Sequence, residues 1–406
     1  MPKQADWWQG AVIYQIYPRS FMDSNGDGIG DLNGITEKLD YVAGLGVDAV
    51  WLSPFFKSPM KDFGYDVSSH RDVDDIFGRN EDFERLLTEA HKRDLKVIID
   101  MVYSHTSDEH RWFVESRQNK DNPYADYYVW ADPKPDGTPP NNWVSRFTNQ
   151  SSWIWEPRRQ QYYLANWLPS QPDLNFHTPQ VLEEMLTDMR IWLDRGVDGF
   201  RMDVINVISK MPGLPPMIDG ERRGLFIDGP KVLPYLQEFR SRLHRKDDIV
   251  LVGETPGITP EAARRYTDPD NNALDMVLIF DHVMLDHGPG GRWDPRPLEI
   301  PKLRRVVTDW QKALAAPAWP SSYLSNHDQP RVVSRYGDDR EFRRESATAL
   351  ATAFYLQRGT PIVYQGDEIA MANYPLRSVE EIVDIESGNA YRHLTEEEGV
   401  DPAEAF

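Results

Sequence analysis

An arginine and an aspartate stand two residues apart in the otherwise apolar segment 196–206. The β-branched and aromatic residues of this segment predict a strand, in which residues i and i+2 point to the same face. Arg201 and Asp203 therefore project together, while Phe200 and Met202 point away. A guanidinium favours the ionised form of a neighbouring carboxylate, which a nucleophile or a charge stabiliser requires. A structural ion pair at a strand end is the alternative that this segment alone leaves open.

Three other apolar runs also lead into acidic or histidine side chains. Glu254 ends one run, the pair His327 and Asp328 follows a second, and Asp100 lies in a third that leads to His105. Glycosidic bond cleavage uses two carboxylates with separated pKa values, because one attacks or stabilises the anomeric carbon while the other protonates the leaving oxygen. Each acid alone could equally cap a helix or face solvent. Their shared position at strand ends indicates an enzyme.

Short apolar runs alternate with longer amphipathic stretches, which predicts an α/β fold with a parallel sheet, a TIM (β/α)8 barrel. The active site of such a barrel lies at the carboxyl ends of its strands, where the acids listed above fall. The predicted strands are 11–16, 48–52, 96–102, 199–204, 249–252, 276–279, 322–324 and 362–364. The predicted helices are 34–44, 81–93, 180–195, 233–243, 260–266, 301–314 and 340–357.

The alternation of strands and helices is interrupted once and then ends early. Residues 105–173 are too many for an ordinary loop, so they predict a subdomain inserted after the third strand. The catalytic barrel is then formed by residues 1–104 and 174–379. Only an acidic segment, residues 380–406, follows the eighth strand. No eighth barrel helix is expected.

Composition limits the function further. The chain has 406 residues, a formal net charge of −20 and no cysteine. Disulfides, thiolate metal sites and cysteine nucleophiles are excluded, and the negative charge argues against nucleic-acid or anionic-membrane partners. No apolar run approaches the ~18 residues of a membrane span, and the N-terminus has no signal-like stretch, so a cytoplasmic enzyme is expected. Both a monomer and a dimer remain open.

The first loop has the spacing of a cation site. Residues 23–31 read Asp-Ser-Asn-Gly-Asp-Gly-Ile-Gly-Asp, with oxygen ligands available at every second residue and glycine at the sixth position. The loop begins like an EF-hand, but Gly34 stands where the twelfth-position glutamate belongs. An EF-hand sensor is therefore not predicted. A turn without metal is the alternative.

Several separated segments together resemble one known family. The blocks around Asp100, Asp203, Glu254 and Asp328 resemble the α-amylase superfamily, glycoside hydrolase family 13, and the resemblance covers essentially the whole chain. Within that superfamily the chain is similar to the oligo-1,6-glucosidase and α-glucosidase group. The segments that carry this similarity are residues 7–8, 12–21 and 171–175.

The resemblance implies a role for each residue of the site. Asp203 is the expected nucleophile, oriented by Arg201, and Glu254 the expected acid and base. Asp328 is expected to favour the oxocarbenium-like transition state. The expected glucose pocket is lined by Asp62, Tyr65, His105 and His327, with Arg331 paired to Asp62 or touching substrate. The resemblance also implies one structural Ca²⁺ or Mg²⁺ held by Asp23, Asn25, Asp27, the Ile29 carbonyl and Asp31.

The implied activity is that of a retaining, exo-acting α-glucosidase on short oligosaccharides. In this group a valine after the nucleophile is associated with α-1,6 linkages, and Val204 predicts isomaltose-type substrates. A transglucosylase, a sucrose or trehalose isomerase and a trehalose-6-phosphate hydrolase share these blocks. A non-catalytic binding protein or an inactive fragment on the same fold is the remaining alternative. Relatives continue into a last barrel helix and a C-terminal β-sandwich, which are expected to be absent here, leaving apolar surface exposed and stability low.

Overall fold

Eight parallel strands form a single sheet in the computed structural model, which describes residues 6–218, 226–244 and 248–406. All eight predicted strands are present, with bounds shifted by at most two residues, and the TIM-barrel class is confirmed. Residues 1–5, part of the N-terminal stretch considered for a signal sequence, lie outside the described ranges. The strands are β1 Ile13–Ile16, β2 Ala49–Leu52, β3 Lys96–Val102, β4 Gly199–Asp203, β5 Val250–Glu254, β6 Met276–Leu278, β7 Ser321–Tyr323 and β8 Thr360–Tyr364.

The first and last strands of the chain lie side by side, since β1 pairs with β8 as well as with β2. Its hydrogen-bonded order runs from β6 through β5, β4, β3, β2, β1 and β8 to β7. Side chains join the two end strands: the Ser321 hydroxyl donates to the Val277 carbonyl at 2.7 Å, and the Tyr323 hydroxyl donates to the Ile279 carbonyl at 2.6 Å. Closure brings the carboxyl ends of all eight strands around one opening.

Helices cover the outside of the barrel. Two of the seven predicted helices differ clearly from their predicted bounds, and four short α-helices of the described ranges were not predicted. The stretch 34–44 forms two helices because the Lys38 N–H bonds to the Ile35 carbonyl, a tighter turn than an α-helix makes. The helix predicted at 340–357 begins only at Arg343, because the Asp338 carboxylate accepts the N–H groups of Arg340 and Phe342. The helices are α1 Leu32–Glu37, α2 Leu39–Gly44, α3 Asn80–His91, α4 Arg111–Ser116, α5 Pro179–Arg195, α6 Val232–Arg242, α7 Pro260–Thr267, α8 Ile300–Ala313, α9 Val332–Tyr336, α10 Arg343–Tyr355, α11 Ile385–Arg392 and α12 Pro402–Ala405.

The two helices after β8 add little cover to the barrel. Neither α11 nor α12 contains a buried residue. Large apolar side chains are exposed just after α2 and just after α10, where Leu45 and Leu356 are 37% and 79% accessible. Within the described ranges, the helices are also too short or too polar to cross a bilayer.

The segment between β3 and α5 contains a small antiparallel sheet of its own, formed by Trp130–Ala131, Trp153–Glu156 and Gln161–Leu164. A buried ion pair ties its end to the loop after β4: the Lys210 ammonium lies 2.6 Å from Asp173, and both side chains are almost fully buried. Lys210 also donates to the Val207 carbonyl, and Asp173 accepts from the Asn166 side chain. Each charge is thus compensated, as burial requires.

We expect Lys210→Met to destabilise the protein strongly, because it leaves the Asp173 carboxylate buried without its counter-charge. Removing one partner of a buried pair typically costs ~3–5 kcal/mol of unfolding free energy, measurable by urea denaturation. Lys120→Met is the matched control, since the pair of Lys120 with Asp132 is exposed and should contribute little. Equal losses in the two variants would contradict the anchoring role of Lys210.

Candidate active site

One guanidinium, that of Arg201, contacts three carboxylates at the carboxyl end of the barrel. Its Nη1 lies 2.7 Å from Asp100 and 2.6 Å from Asp203, and its Nη2 lies 2.6 Å from Glu254. The acids stand on β3, β4 and β5, three neighbouring strands of the sheet. The guanidinium carbon Cζ of Arg201 also lies 5.2 Å from the Trp51 ring centroid, so the cation packs on an aromatic face.

Two of these acids keep one oxygen free. Asp203 accepts from Arg201 through Oδ1 only, and Glu254 accepts from Arg201 and from the Val204 amide through Oε2. No hydrogen bond within the described residues engages Asp203 Oδ2 or Glu254 Oε1. Both side chains are slightly accessible, whereas Asp100 is fully buried. The free oxygens are therefore available to a ligand in the opening.

Charge balance decides the protonation of this cluster. Burial raises the pKa of Asp203 well above its usual range, and the Arg201 guanidinium opposes that rise. Burial likewise raises the pKa of Asp100, again against Arg201. Three buried carboxylates share one cation, so the cluster retains a proton to higher pH than isolated acids would. Arg201 thus favours the ionised form of Asp203, as expected from sequence, but burial acts in the opposite direction.

A chain of side chains connects this cluster to β7. The Tyr65 hydroxyl donates to Asp100 at 3.2 Å and lies 2.6 Å from Nε2 of His327. The two rings are nearly parallel, with centroids 5.3 Å apart. Gln15 lies 2.9 Å from His327 Nδ1, which fixes the imidazole from its other side. Tyr65 and His327 therefore form a rigid wall beside the carboxylates.

A second polar group lies where the inserted segment returns to the barrel. The Gln171 amide donates to Asp62 at 2.7 Å and lies 3.1 Å from His105 Nε2. Burial, reinforced by the nearby Asp66 carboxylate, raises the pKa of Asp62 to about 8. Burial lowers the pKa of His105 to about 3, so this imidazole is neutral at physiological pH. Both groups can then form neutral hydrogen bonds with hydroxyl groups.

Asp328 and Arg331 follow β7 but have different surroundings. The Asp328 carboxylate is 43% accessible and lies 3.5 Å from His327 Nε2, facing the opening. Arg331 instead contacts residues at the end of β8. Its guanidinium donates to the Gln365 carbonyl at 2.6 Å, lies 3.6 Å from Asp367 and packs over the Tyr364 ring. The predicted ion pair of Arg331 with Asp62 is wrong, because groups at the end of β8 already hold the guanidinium.

The proposed cation loop binds its own backbone. Asp23 accepts the amides of Gly26 and Gly28, and these bonds lower the pKa of its carboxyl. Asp27 accepts the Ile29 amide, while Asp31 accepts from Ser24 and caps α1. The donor set is all oxygen, as Ca²⁺ and Mg²⁺ prefer. No cluster of three or more acidic or histidine side chains suited to a metal is found in the described part of the chain.

Some residues at the site were not predicted as members of it. Gln171 lies within a segment that carries the family resemblance, so the segment itself was a signal for it. Gln15 also lies within such a segment, although its role depends on His327, which is remote in sequence. Trp51 had no local signal, because its role depends on Arg201. Asp100 was expected at the barrel mouth, but its contact with Arg201 joins neighbouring strands and requires the folded sheet.

Comparison with known proteins places this geometry in context. The profile of the alpha amylase catalytic domain matches residues 15–405. An oligo-1,6-glucosidase from Parageobacillus thermoglucosidasius is 52% identical, over 98% of this chain and 72% of that protein. The crystal structure of trehalose-6-phosphate hydrolase from Bacillus licheniformis superposes with a TM-score of 0.94 at 44% identity, over 99% of this chain and 72% of that one. The crystal structure of an isomaltulose synthase variant from Erwinia rhapontici NX5 in complex with sucrose also superposes with a TM-score of 0.94. The two chains are 40% identical, over 99% of this chain and 72% of that one.

Removing the shared cation should change how stability depends on pH. Because Asp100 and Asp203 have raised pKa values, the folded state binds more protons at these two acids than the unfolded state, and their contribution to stability is lost as pH rises above ~4. Arg201→Met removes the opposing charge, so we expect its unfolding free energy to fall more between pH 5 and pH 8, by at least ~1.4 kcal/mol. Urea denaturation at the two pH values measures this.

Arg93→Met provides the control for that experiment, since Arg93 pairs with Asp40 and Glu89 on the surface. The Arg93 variant should keep the pH dependence of the unaltered protein. Identical pH dependence in both variants would show that Arg201 does not govern the protonation of the carboxylates.

Proposed function

The chain belongs to the alpha-amylase family, and we propose that it is a retaining, exo-acting α-glucosidase that releases glucose from short α-glucosides. One observation carries the proposal: Asp203 and Glu254 contact the same guanidinium, and each keeps one oxygen free toward the opening. Two acids held on one arginine favour the short carboxyl separation of retaining enzymes, about 5–5.5 Å, over the wider one of inverting enzymes.

In the proposed reaction Asp203 Oδ2 attacks the anomeric carbon as the bond to the leaving oxygen breaks. Glu254 gives its proton to that oxygen, and a covalent glucosyl-enzyme ester forms. Glu254 then removes a proton from water, and the water oxygen displaces Asp203, restoring the original anomeric configuration. Asp328, with its accessible carboxylate, stabilises the positive charge of the oxocarbenium-like transition state.

The glucose unit is proposed to lie between the Tyr65–His327 wall and the pair Asp62 and His105. The neutral His105 imidazole and the largely protonated Asp62 carboxyl provide hydrogen bonds to sugar hydroxyls. For the linkage we propose α-1,6, on two grounds. Val204 follows the nucleophile, and the similarity to an oligo-1,6-glucosidase extends over nearly the whole chain.

We expect the protein to hydrolyse isomaltose faster than maltose, sucrose or trehalose-6-phosphate, with α-glucose as first product. Asp203→Asn removes the nucleophile and should lower the rate at least ~10⁴-fold, while the fold is retained. Initial rates, and NMR of the first-formed anomer, test both points. Formation of β-glucose would contradict the retaining mechanism. At high substrate concentration, transfer products without free glucose would indicate a transglucosylase or isomerase.

Trehalose-6-phosphate is the second candidate substrate, because a hydrolase of that sugar has a closely superposing structure. Binding its phosphate would require an available cation near the pocket. Acids already neutralise two of the basic residues in the region: Lys61 pairs with Asp108 and Glu109, and Arg71 pairs with Glu184 and Asp188. These pairs favour the uncharged substrate.

We also propose that the loop of residues 23–31 binds one Ca²⁺ or Mg²⁺, which would stabilise the fold without taking part in the reaction. Chelation with EDTA should lower the midpoint of thermal unfolding, and either ion should restore it. Asp27→Asn is a matched variant, because an amide keeps an acceptor for the Ile29 N–H but loses the charge that a cation needs. A midpoint unaffected by EDTA would contradict the site.

A further inference from the structure

Val204, directly after the proposed nucleophile, has a backbone conformation that its residue type disfavours. Its φ and ψ are 34° and 42°, in the left-handed region. A β-branched side chain at positive φ is a genuine outlier, and such strain persists only where surrounding structure enforces it. Here the side chain is buried in a cluster with Trp143, Trp167, Val207 and Phe226. The fold thus holds a strained turn beside the reacting groups.

The amide of Val204, at the start of this turn, points toward the neighbouring strand. The amide donates to Glu254 Oε2 at 3.0 Å, and Arg201 Nη2 lies 2.6 Å from the same oxygen. A bond from the Asn206 side chain to the Pro256 carbonyl at 3.0 Å holds the two loops at this spacing.

Two donors on one oxygen decide where the proton of Glu254 resides. A neutral carboxyl group carries its proton on one oxygen, and the other oxygen accepts. Oε2 already accepts from Arg201 and Val204, so the proton belongs on Oε1, which makes no hydrogen bond within the described structure. We propose that Val204 is a positioning residue, whose strained turn presents the proton of Glu254 on Oε1 to the leaving oxygen. This inference rests on the proposed function, in which Glu254 is the acid.

The experiment replaces the Val204 amide by an ester, through incorporation of the α-hydroxy analogue of valine. The side chain stays and only the N–H donor is lost. A series of aryl α-glucosides with leaving groups of decreasing acidity reports on proton donation, because a poor leaving group needs the acid most. We expect kcat/KM to fall about tenfold for the poorest leaving group and to change little for 4-nitrophenyl α-glucoside. The ester at Val114, an exposed helical residue, is the control for the chemical change itself.

Two ordinary variants keep the inference testable if the ester protein does not fold. Val204→Gly and Val204→Ala both remove side-chain packing, but glycine also occupies left-handed and right-handed conformations equally well, so its turn is held least firmly. We expect kcat/KM of the glycine variant to fall more steeply than that of the alanine variant as the leaving group becomes less acidic. Equal dependence in the two variants, or an ester protein whose dependence matches the unaltered protein, would overturn the positioning role.

Glu254→Gln separates this inference from the proposed function. The glutamine variant should lose kcat/KM on poor leaving groups and keep most of its kcat/KM on 4-nitrophenyl α-glucoside, while its kcat falls on both because Glu254 also activates water. If it does and the Val204 variants do not, the positioning role fails while the acid role stands. If the glutamine variant shows no such selectivity, Glu254 is not the acid, and the proposed function fails with it.

Discussion

A single guanidinium beside three buried carboxylates is the interaction on which the rest of the site depends. Arg201 is itself buried and lies within 2.7 Å of Asp100, Asp203 and Glu254. Without a cation, carboxylates at this depth would be desolvated and would repel one another, which the fold could not tolerate in ionised form. With one cation for three acids, the cluster is only partly neutralised. That imbalance keeps a proton in the site while allowing an ionised nucleophile.

The barrel creates this arrangement, because parallel strands end at the same level. Asp100, Asp203 and Glu254 lie on adjacent strands, so their side chains converge without any loop having to position them. The sugar-binding groups are positioned differently: Gln171 and His105 stand at the two ends of the inserted segment, which the Lys210–Asp173 pair anchors. The carboxylates around Arg201 thus belong to rigid strands, whereas the sugar-binding groups belong to the ends of the inserted segment and to the loops after β2 and β7.

Much of this could be predicted from sequence because the signals were local. Alternating apolar runs gave the eight strands, and the acids at their ends indicated the opening. What could not be predicted depends on contacts between residues remote in sequence. Arg331 was expected to pair with Asp62 or to touch substrate, yet the Gln365 carbonyl at the end of β8 holds it. Burial, which no local pattern gives, reverses the simple expectation for the pKa of Asp203. The left-handed turn at Val204 is disfavoured by its residue type and therefore invisible to propensity.

The departures from local rules are concentrated around the proposed reacting atoms. A strained valine, a cation shared by three acids and an imidazole with a pKa near 3 would each be costly in an ordinary core. Here they lie within connected hydrogen bonds: Val204 and Arg201 meet at Glu254, and Asp100 joins Arg201 to Tyr65 and His327. Because each member fixes the next, a change at one residue alters the protonation and orientation of the others. The barrel is stable enough to hold Val204 in its strained turn. The hydrogen bonds around this turn fix the orientation of Glu254 that the proposed proton transfer requires.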